Sequence, residues 1–436
     1  MRSHCLKLLF LTLLLFAGTA SAAGLEVRVT RGLGDAQPIA IVPFEYTGEG
    51  EMPVDVSAVV ANDLERSGRF KPLPPEDMLE QPSAASEVNF QNWRVLGMDY
   101  VVVGKVMPRD DGYVVQFQLL DVYGGRQLLG YSIPIAGDYL RRGAHKVSDL
   151  IYEELTGTPG AFSTRIAFVL AVKDGDATRY QLVVADADGA NQRPILRSSQ
   201  PIMSPSWSPD GRRIAYVSFE NNTAEIFVQE LMSGEREAVS SRPGINGAPS
   251  FSPSGEYLAM TLSSEPGNPD IWVKSLESGE LRRITSSPAI DTEAVWAPDG
   301  SALYFTSDRG GGPQIYRAEL DARGDRPARV TFEGNYNARP IVSPNGELLG
   351  MVHQDSTGFH IAVVDLERKT LQVLTEGRQD ESPSFAPNGA MIIYATQEGN
   401  KGVLAASSVD GRVQQRLAVQ EGDVREPAWS PFPAEE

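Results

Sequence analysis

The stretch Met203-Ser-Pro-Ser-Trp207-Ser-Pro209-Asp-Gly211-Arg-Arg-Ile-Ala-Tyr-Val217 is restated, with variations, almost to the end of the chain. Its echoes are Pro249-Ser-Phe251-Ser-Pro253-Ser-Gly255, Glu293-Ala-Val-Trp296-Ala-Pro298-Asp-Gly300, Pro340-Ile-Val342-Ser-Pro344-Asn-Gly346, Pro383-Ser-Phe385-Ala-Pro387-Asn-Gly389 and the shortened Pro427-Ala-Trp429-Ser-Pro431. From Trp207 through Phe251, Trp296, Val342 and Phe385 to Trp429 the steps are 44, 45, 46, 43 and 44 residues. A period of this size marks a repeat architecture whose units bury their apolar faces only against one another.

Each period reads as strands. After the Pro-x-Gly turn comes a β-prone run (214–217, 258–261, 303–306, 348–352, 391–395), and a second follows about ten residues later (225–228, 270–273, 314–316, 360–363). A tight turn such as Ser233-Gly234 or Asp410-Gly411 then leads to a third. With the Pro-x-Trp stretch, each period holds four short strands and no room for a helix, which is one propeller blade. The sixth period, from Pro427, holds only its first strand, and its missing three lie upstream at 166–170, 180–185 and 193–196. Six blades result, the ring closing by pairing of the C-terminal strand with the first blade, so no long edge stays open.

Upstream, Arg2 and Lys7, an apolar run over 8–17 and Ala20-Ser21-Ala22 form a secretory signal with its cleavage site. Cys5, the only cysteine, leaves with it, so disulfides are not expected. Losing Arg2 and Lys7 moves the net charge from -18 to -20, which disfavours nucleic acid and anionic lipid as partners. The expected divisions are 1–22 signal, 23–36 flexible partner-binding segment, 37–156 α/β domain, 157–164 linker and 165–436 propeller.

Within the second division Leu25-Glu26-Val27-Arg28-Val29 alternates apolar and charged residues. It reads either as a tail without fixed structure or as a strand able to add to another protein's sheet edge. The α/β domain follows from buried runs at 39–42 and 100–103, helical spacing of Val56, Val59, Val60 and Leu64 ended by Gly68, alternation over 113–119, and a strand over 126–133. A last helix starts with Asp138 as N-cap, turns Leu140, Ala144, Val147, Ile151 and Leu155 inward, and stops at Gly157 and Pro159.

In a propeller the first strand of each blade lines the axis, so the loops leading into these strands ring one mouth of the channel. They hold Ser204, Asn246, Thr292, Glu293, Asn337, Arg339, Asp380, Glu381, Arg425 and Glu426, mostly beside prolines such as Pro205 and Pro249. Six polar clusters converging on one opening suit a binding surface. Asp186-Ala-Asp188-Gly189 lacks most of a calcium loop, and His145, His353 and His360 show no metal-ligand spacing, so neither metal nor cofactor is expected. No Gly-x-Ser-x-Gly elbow, His-Glu-x-x-His or phosphate loop is present.

Read together, Ile39-Ala-Ile-Val-Pro-Phe44, Asn62-Asp-Leu-Glu-Arg-Ser-Gly68, Val101-Val-Val-Gly104, Leu155-Thr-Gly157, Gly160-Ala-Phe-Ser-Thr-Arg-Ile-Ala-Phe168, Asn246-Gly-Ala-Pro249 and Phe305-Thr-Ser-Asp308, with the blade motif, resemble the TolB family of the Gram-negative Tol-Pal system. The resemblance covers the chain beyond its leader. It implies a monomeric periplasmic binding protein, not an enzyme, that supports outer-membrane integrity and envelope constriction in division. Its propeller would hold the lipoprotein Pal and its N-terminal segment, here Glu26, Val27, Arg28 and Val29, would be held by TolA; certain colicins would exploit the Pal surface. Family binding positions match best at Ala248, beside Gly247, and at Thr292-Glu293. Two departures stand out: Ile245 where relatives can carry histidine, and Arg31 where they carry an acidic residue. The rival readings are a propeller lyase or hydrolase, which needs turnover or bound metal, and a WD-type scaffold, against which no Trp is followed by Asp.

Overall fold

The computed structural model describes residues 26–31, 34, 36–137, 139–263, 267–321, 326–418 and 422–433, with the backbone alone for 26–31 and 418. The expected leader, 1–22, and the expected N-cap Asp138 lie outside them.

The chain is an N-terminal α/β domain followed by a six-bladed β-propeller. In the first, a mixed sheet runs in the order Phe70–Pro72, Gln37–Ile41, Tyr100–Arg109, Gly112–Asp121, Arg126–Ala136, with Glu45–Tyr46 beside the third. The run 39–42 is apolar throughout because both faces are covered. Ile39 and Ile41 pack with helices α1 (Val56–Arg66) and α3 (Leu140–Thr156), while Ala40 and Val42 pack with Trp93 of the short helix α2 (Phe90–Val95). Asp55 caps α1 by accepting from Ala58 N at 3.0 Å. At the start of α3 the cap position is Tyr139, which makes no side-chain capping bond; its end is Gly157 at φ 72°, a left-handed cap that glycine adopts without strain.

Blade one is Arg165–Asp174, Ala177–Asp186 and Arg193–Ser198, with Asp423–Trp429 as its innermost strand, Trp429 opposite Ile166. Blades two to six begin at Ile202, Asn246, Asp291, Tyr336 and Glu381, each a four-stranded antiparallel meander. The recurring aromatic joins neighbours: Trp207 Nε1 donates to Ala428 O and Trp296 Nε1 to Ser250 O, both at 3.0 Å, each reaching the innermost strand of the preceding blade. Arg165 stacks over Trp207 and Arg213 over Phe251.

Blade six has a fifth strand. Glu26–Arg31 pairs antiparallel with its outer strand, Gln414–Ala418, Val27 opposite Leu417 and Val29 opposite Gln415. The alternation in this segment is therefore that of a strand, and the sheet edge to which it adds is the chain's own. The α/β domain touches the blades at Ala187 and Gln415, and the segment after it at Asn388, all on or beside turns at the end of the propeller opposite the one where the innermost strands begin. Mouth and N-terminal domain thus occupy opposite ends.

Candidate functional site

The residues expected on loops at the mouth lie, with the exception of Asp380, on the innermost strands themselves. Every one of these strands breaks register once, between Met203 and Ser206, Gly247 and Ser250, Thr292 and Val295, Ala338 and Ile341, Glu381 and Ser384, and Arg425 and Ala428. At each break one non-glycine residue takes positive φ: Ser204 at 52°, Ala248 at 45°, Glu293 at 57°, Arg339 at 52°, Ser382 at 54° and Glu426 at 50°. A bulge leaves a residue outside the ladder, and proline, which lacks an N–H, fits beside it. That accounts for Pro205, Pro249, Pro340, Pro383 and Pro427, each directly after a ring residue. A left-handed L-residue costs about 1–2 kcal/mol, and strain of this kind collects at functional sites.

Across the channel the ring is wired by Arg339. Its Nε donates to Glu293 Oε1 at 3.0 Å, its Nη2 to Glu426 Oε2 at 2.9 Å, and its Nη1 to Ser382 Oγ, while its backbone N donates to Glu293 Oε2 at 3.1 Å and Thr306 Oγ1 at 3.0 Å. Burial works against its charge, but Glu426 and Glu293 outweigh this and hold the guanidinium above its ordinary pKa. Thr292 lies within 3.3 Å of Thr261, whose hydroxyl accepts from Glu293 N. Thr292, Glu293, Arg339 and Glu426 therefore converge, and Ser382, absent from the sequence reading, joins them.

Three of the expected contact residues are buried in hydrogen bonds to the scaffold. Asn246 is 2% exposed and holds its own loop through Ser240 Oγ and the Arg242 backbone. Asn337 is 0% exposed, bonded to Gln314, Glu333 O and His353. Asp380 is buried and accepts from Thr396 Oγ1 at 2.5 Å. An amide or carboxylate at the start of an innermost strand is here consumed by hydrogen bonds to its own or the preceding blade. Ser204, Pro205, Gly247 and Ala248 are half-buried at their bulges and Pro249 is buried; Glu381 and Arg425 stand exposed.

The rim also carries exposed apolar side chains: Ile245, already singled out in the sequence, and with it Met203, Ile290 and Phe332, the last 71% exposed. Their signal was present as alternation. Ile245 precedes the buried Asn246 and Ile290 precedes the buried Asp291, so in a strand one side chain points in and the other out.

Away from the mouth, Asp63, His145 and Asp188 bring ligand-type atoms within 4.8 Å of one another. Arg66 and Arg141 already ion-pair with these two carboxylates, so the cluster is an ionic joint with its cations supplied by the protein. His353 and His360 face each other across a strand pair, bonded to Asn337 and to Thr357.

Two family models match the chain, one described as the TolB amino-terminal domain over residues 25–128 and one as the TolB beta propeller domain over residues 152–433. A Tol-Pal system protein TolB of Thioalkalivibrio sulfidiphilus is 53% identical over 429 residues, 98% of either chain. One of Xanthomonas campestris pv. campestris is 48% identical over 424 residues, 96% of either chain. The crystal structure of TolB from Acinetobacter baumannii superposes with a TM-score of 0.86 at 41% identity, covering 94% of this chain and all of that one.

Proposed function

Because this chain belongs to the TolB family and so has a role in the Tol-Pal system, we propose that it is a non-catalytic periplasmic adaptor, holding the lipoprotein Pal at the propeller mouth and offering residues 26–31 to TolA. Outer-membrane integrity and envelope constriction in division would rest on that double attachment. Colicins, where they use this protein, would compete at the mouth.

The observation that carries this reading is the ring of six bulges, strained toward one opening and surrounded by an apolar rim. Large apolar side chains left exposed beside a fixed polar surface offer the few anchors that dominate affinity in a protein interface. The tail supports the second attachment. A segment that pairs with its own blade is chemically suited to pair with another sheet edge, and the two pairings exclude each other.

Blade six touches both sites, with Ser382 at the mouth and Gln414–Ala418 under the tail. Between them lies buried Tyr394, its pKa raised by burial and by Asp380 and lowered by Arg416, the residue opposite Arg28. Pal binding and tail release would then be coupled, with the same factor in both directions.

Calorimetric titration with the soluble domain of Pal tests the reading. One-to-one binding is expected, weakened at least tenfold by Glu293→Gln and by Phe332→Ser, which is about 1.4 kcal/mol each. Phe332 is too exposed for its change to disturb folding. Absence of binding, or indifference to both variants, refutes the mouth as the Pal site.

A further inference from the structure

The joint between the two domains holds a buried histidine flanked by a carboxylate at each ring nitrogen. His145, on α3, is 1% exposed, with Nδ1 2.7 Å from Asp63 Oδ2 of α1 and Nε2 3.7 Å from Asp188 Oδ2 of the blade-one turn. The groups facing it are Asp63 and Arg66 from α1, Arg141 from α3, and Asp186 and Asp188 from the propeller. Asp149 beside Asp63 and Arg165 beside Asp186 add to the charges of the joint, and the two carboxylates nearest the ring, Asp63 and Asp188, each also meet a guanidinium. In the neutral ring Nδ1–H would still serve Asp63, but the Nε2 lone pair would face the Asp188 carboxylate 3.7 Å away, whereas a protonated Nε2 forms an ion pair with it. Burial lowers the pKa of the ring, but Asp63 and Asp188 outweigh it and raise it above its ordinary 6.5.

The same cluster reaches the docked tail. Arg66, tied to Asp63 at 3.1 Å, donates to Ala187 O of the propeller at 3.3 Å, and its own carbonyl accepts from Gln415 Nε2. Gln415 stands opposite Val29 of the tail strand. Just beyond α1, Gly68 lies so close to Val413 that a Cβ there would come within 2.3 Å of its side chain. Any displacement of α1 on the propeller must therefore disturb the strand on which residues 26–31 are laid.

We propose that His145 is a proton-operated latch on the domain joint: protonated, it ties α1 to the blade-one turn and keeps the tail strand seated on blade six; deprotonated, it lets both loosen. A histidine whose folded pKa is raised contributes stability that is fully present below about 6.5 and is lost as pH rises through the folded value. The joint is thus tight in acid and slack in alkali, independently of what binds the mouth.

Hydrogen exchange of the full protein between pH 6 and pH 9, corrected for the intrinsic rate, tests this. Amide protection over 27–31 and 414–418 is expected to fall at least tenfold across that range while blade three holds constant. His145→Gln should leave protection low and flat with pH at the tail alone. A flat wild-type profile, or an unchanged slope in the variant, overturns the proposal. Should the variant also lose blade-three protection, the wild-type ring decides by ¹³C resonance of its histidines. Titration of His145 above 6.5 together with tail release supports the latch, and titration below 6.5, or without tail release, overturns it.

Discussion

Asp149 shows at a single residue how the connection between the domains is fixed. Its carboxylate is buried on α3 and accepts from Phe162 N at 2.7 Å and Ser163 N at 3.3 Å, pinning the segment that leads into the propeller. Gly160 packs so tightly here that a Cβ would lie 2.4 Å from the Asp149 Cα. Burial pushes the carboxyl up to about 6 against the opposing pull of those bonds. Because the folded pKa exceeds the unfolded one, Asp149 contributes stability below about 3.8 that is lost as pH rises through 6. Asp149→Asn removes this dependence. Between pH 4 and pH 7 the stability difference from wild type, by urea unfolding, should move in favour of the variant by on the order of 3 kcal/mol. A difference constant with pH would contradict the assignment.

Among the elements, Tyr100–Arg109 depends on a close approach that its sequence hides. Gly104 sits mid-strand, where a Cβ would meet Gln116 O at 2.6 Å and the Phe44 ring at 2.7 Å. Gly104→Ala must push two strands and an aromatic apart, at a cost of about 1–3 kcal/mol in urea unfolding. A loss below 0.5 kcal/mol would mean that the sheet yields there more easily than its packing indicates. The blades were legible in the sequence because their period, Pro-x-Gly turns and β-prone runs all agree. α2 was not: one short turn, capped by Asn89 and anchored by Trp93 on Glu80, gives too few residues for a period. Nor was the bulge ring, since Ser, Ala, Glu and Arg do not announce positive φ; only the prolines beside them hint at it. Of the expected mouth residues, Thr292, Glu293, Arg339 and Glu426 come together in the fold, a convergence legible in the sequence because each stands on an innermost strand. Asn246, Asn337 and Asp380 stand at innermost-strand starts but are buried in hydrogen bonds to the framework, which their residue type alone does not reveal. The pairing of the tail could not be read, because its partner strand lies at the far end of the chain.

For the molecule as a whole, closure is the dominant constraint. Asp423–Trp429 fills the innermost position of blade one, and from there Ala428 O accepts from Trp207, Trp429 N donates to Ser384 Oγ at 2.9 Å, and Trp429 Nε1 donates to Thr164 Oγ1 at 2.8 Å. One strand therefore ties blades one, two and six to the interdomain segment. Removing it bares the central edge of blade one, strips a wall from blades two and six, and leaves the buried Trp207 donor without its acceptor. A chain ending before Asp423 should then lose the cooperative propeller transition in calorimetry, since blades stacked in an open row couple only to nearest neighbours. The α/β domain, with its own core of Ile39, Val60, Val102, Phe117 and Ile151, should keep a separate transition. Adding a peptide of residues 422–433 should restore the lost transition in a concentration-dependent way, because a segment that binds only the folded ring stabilises it by mass action. A truncated chain that still melts as the full protein does would show that the ring is held by its blade-to-blade faces and not by this strand.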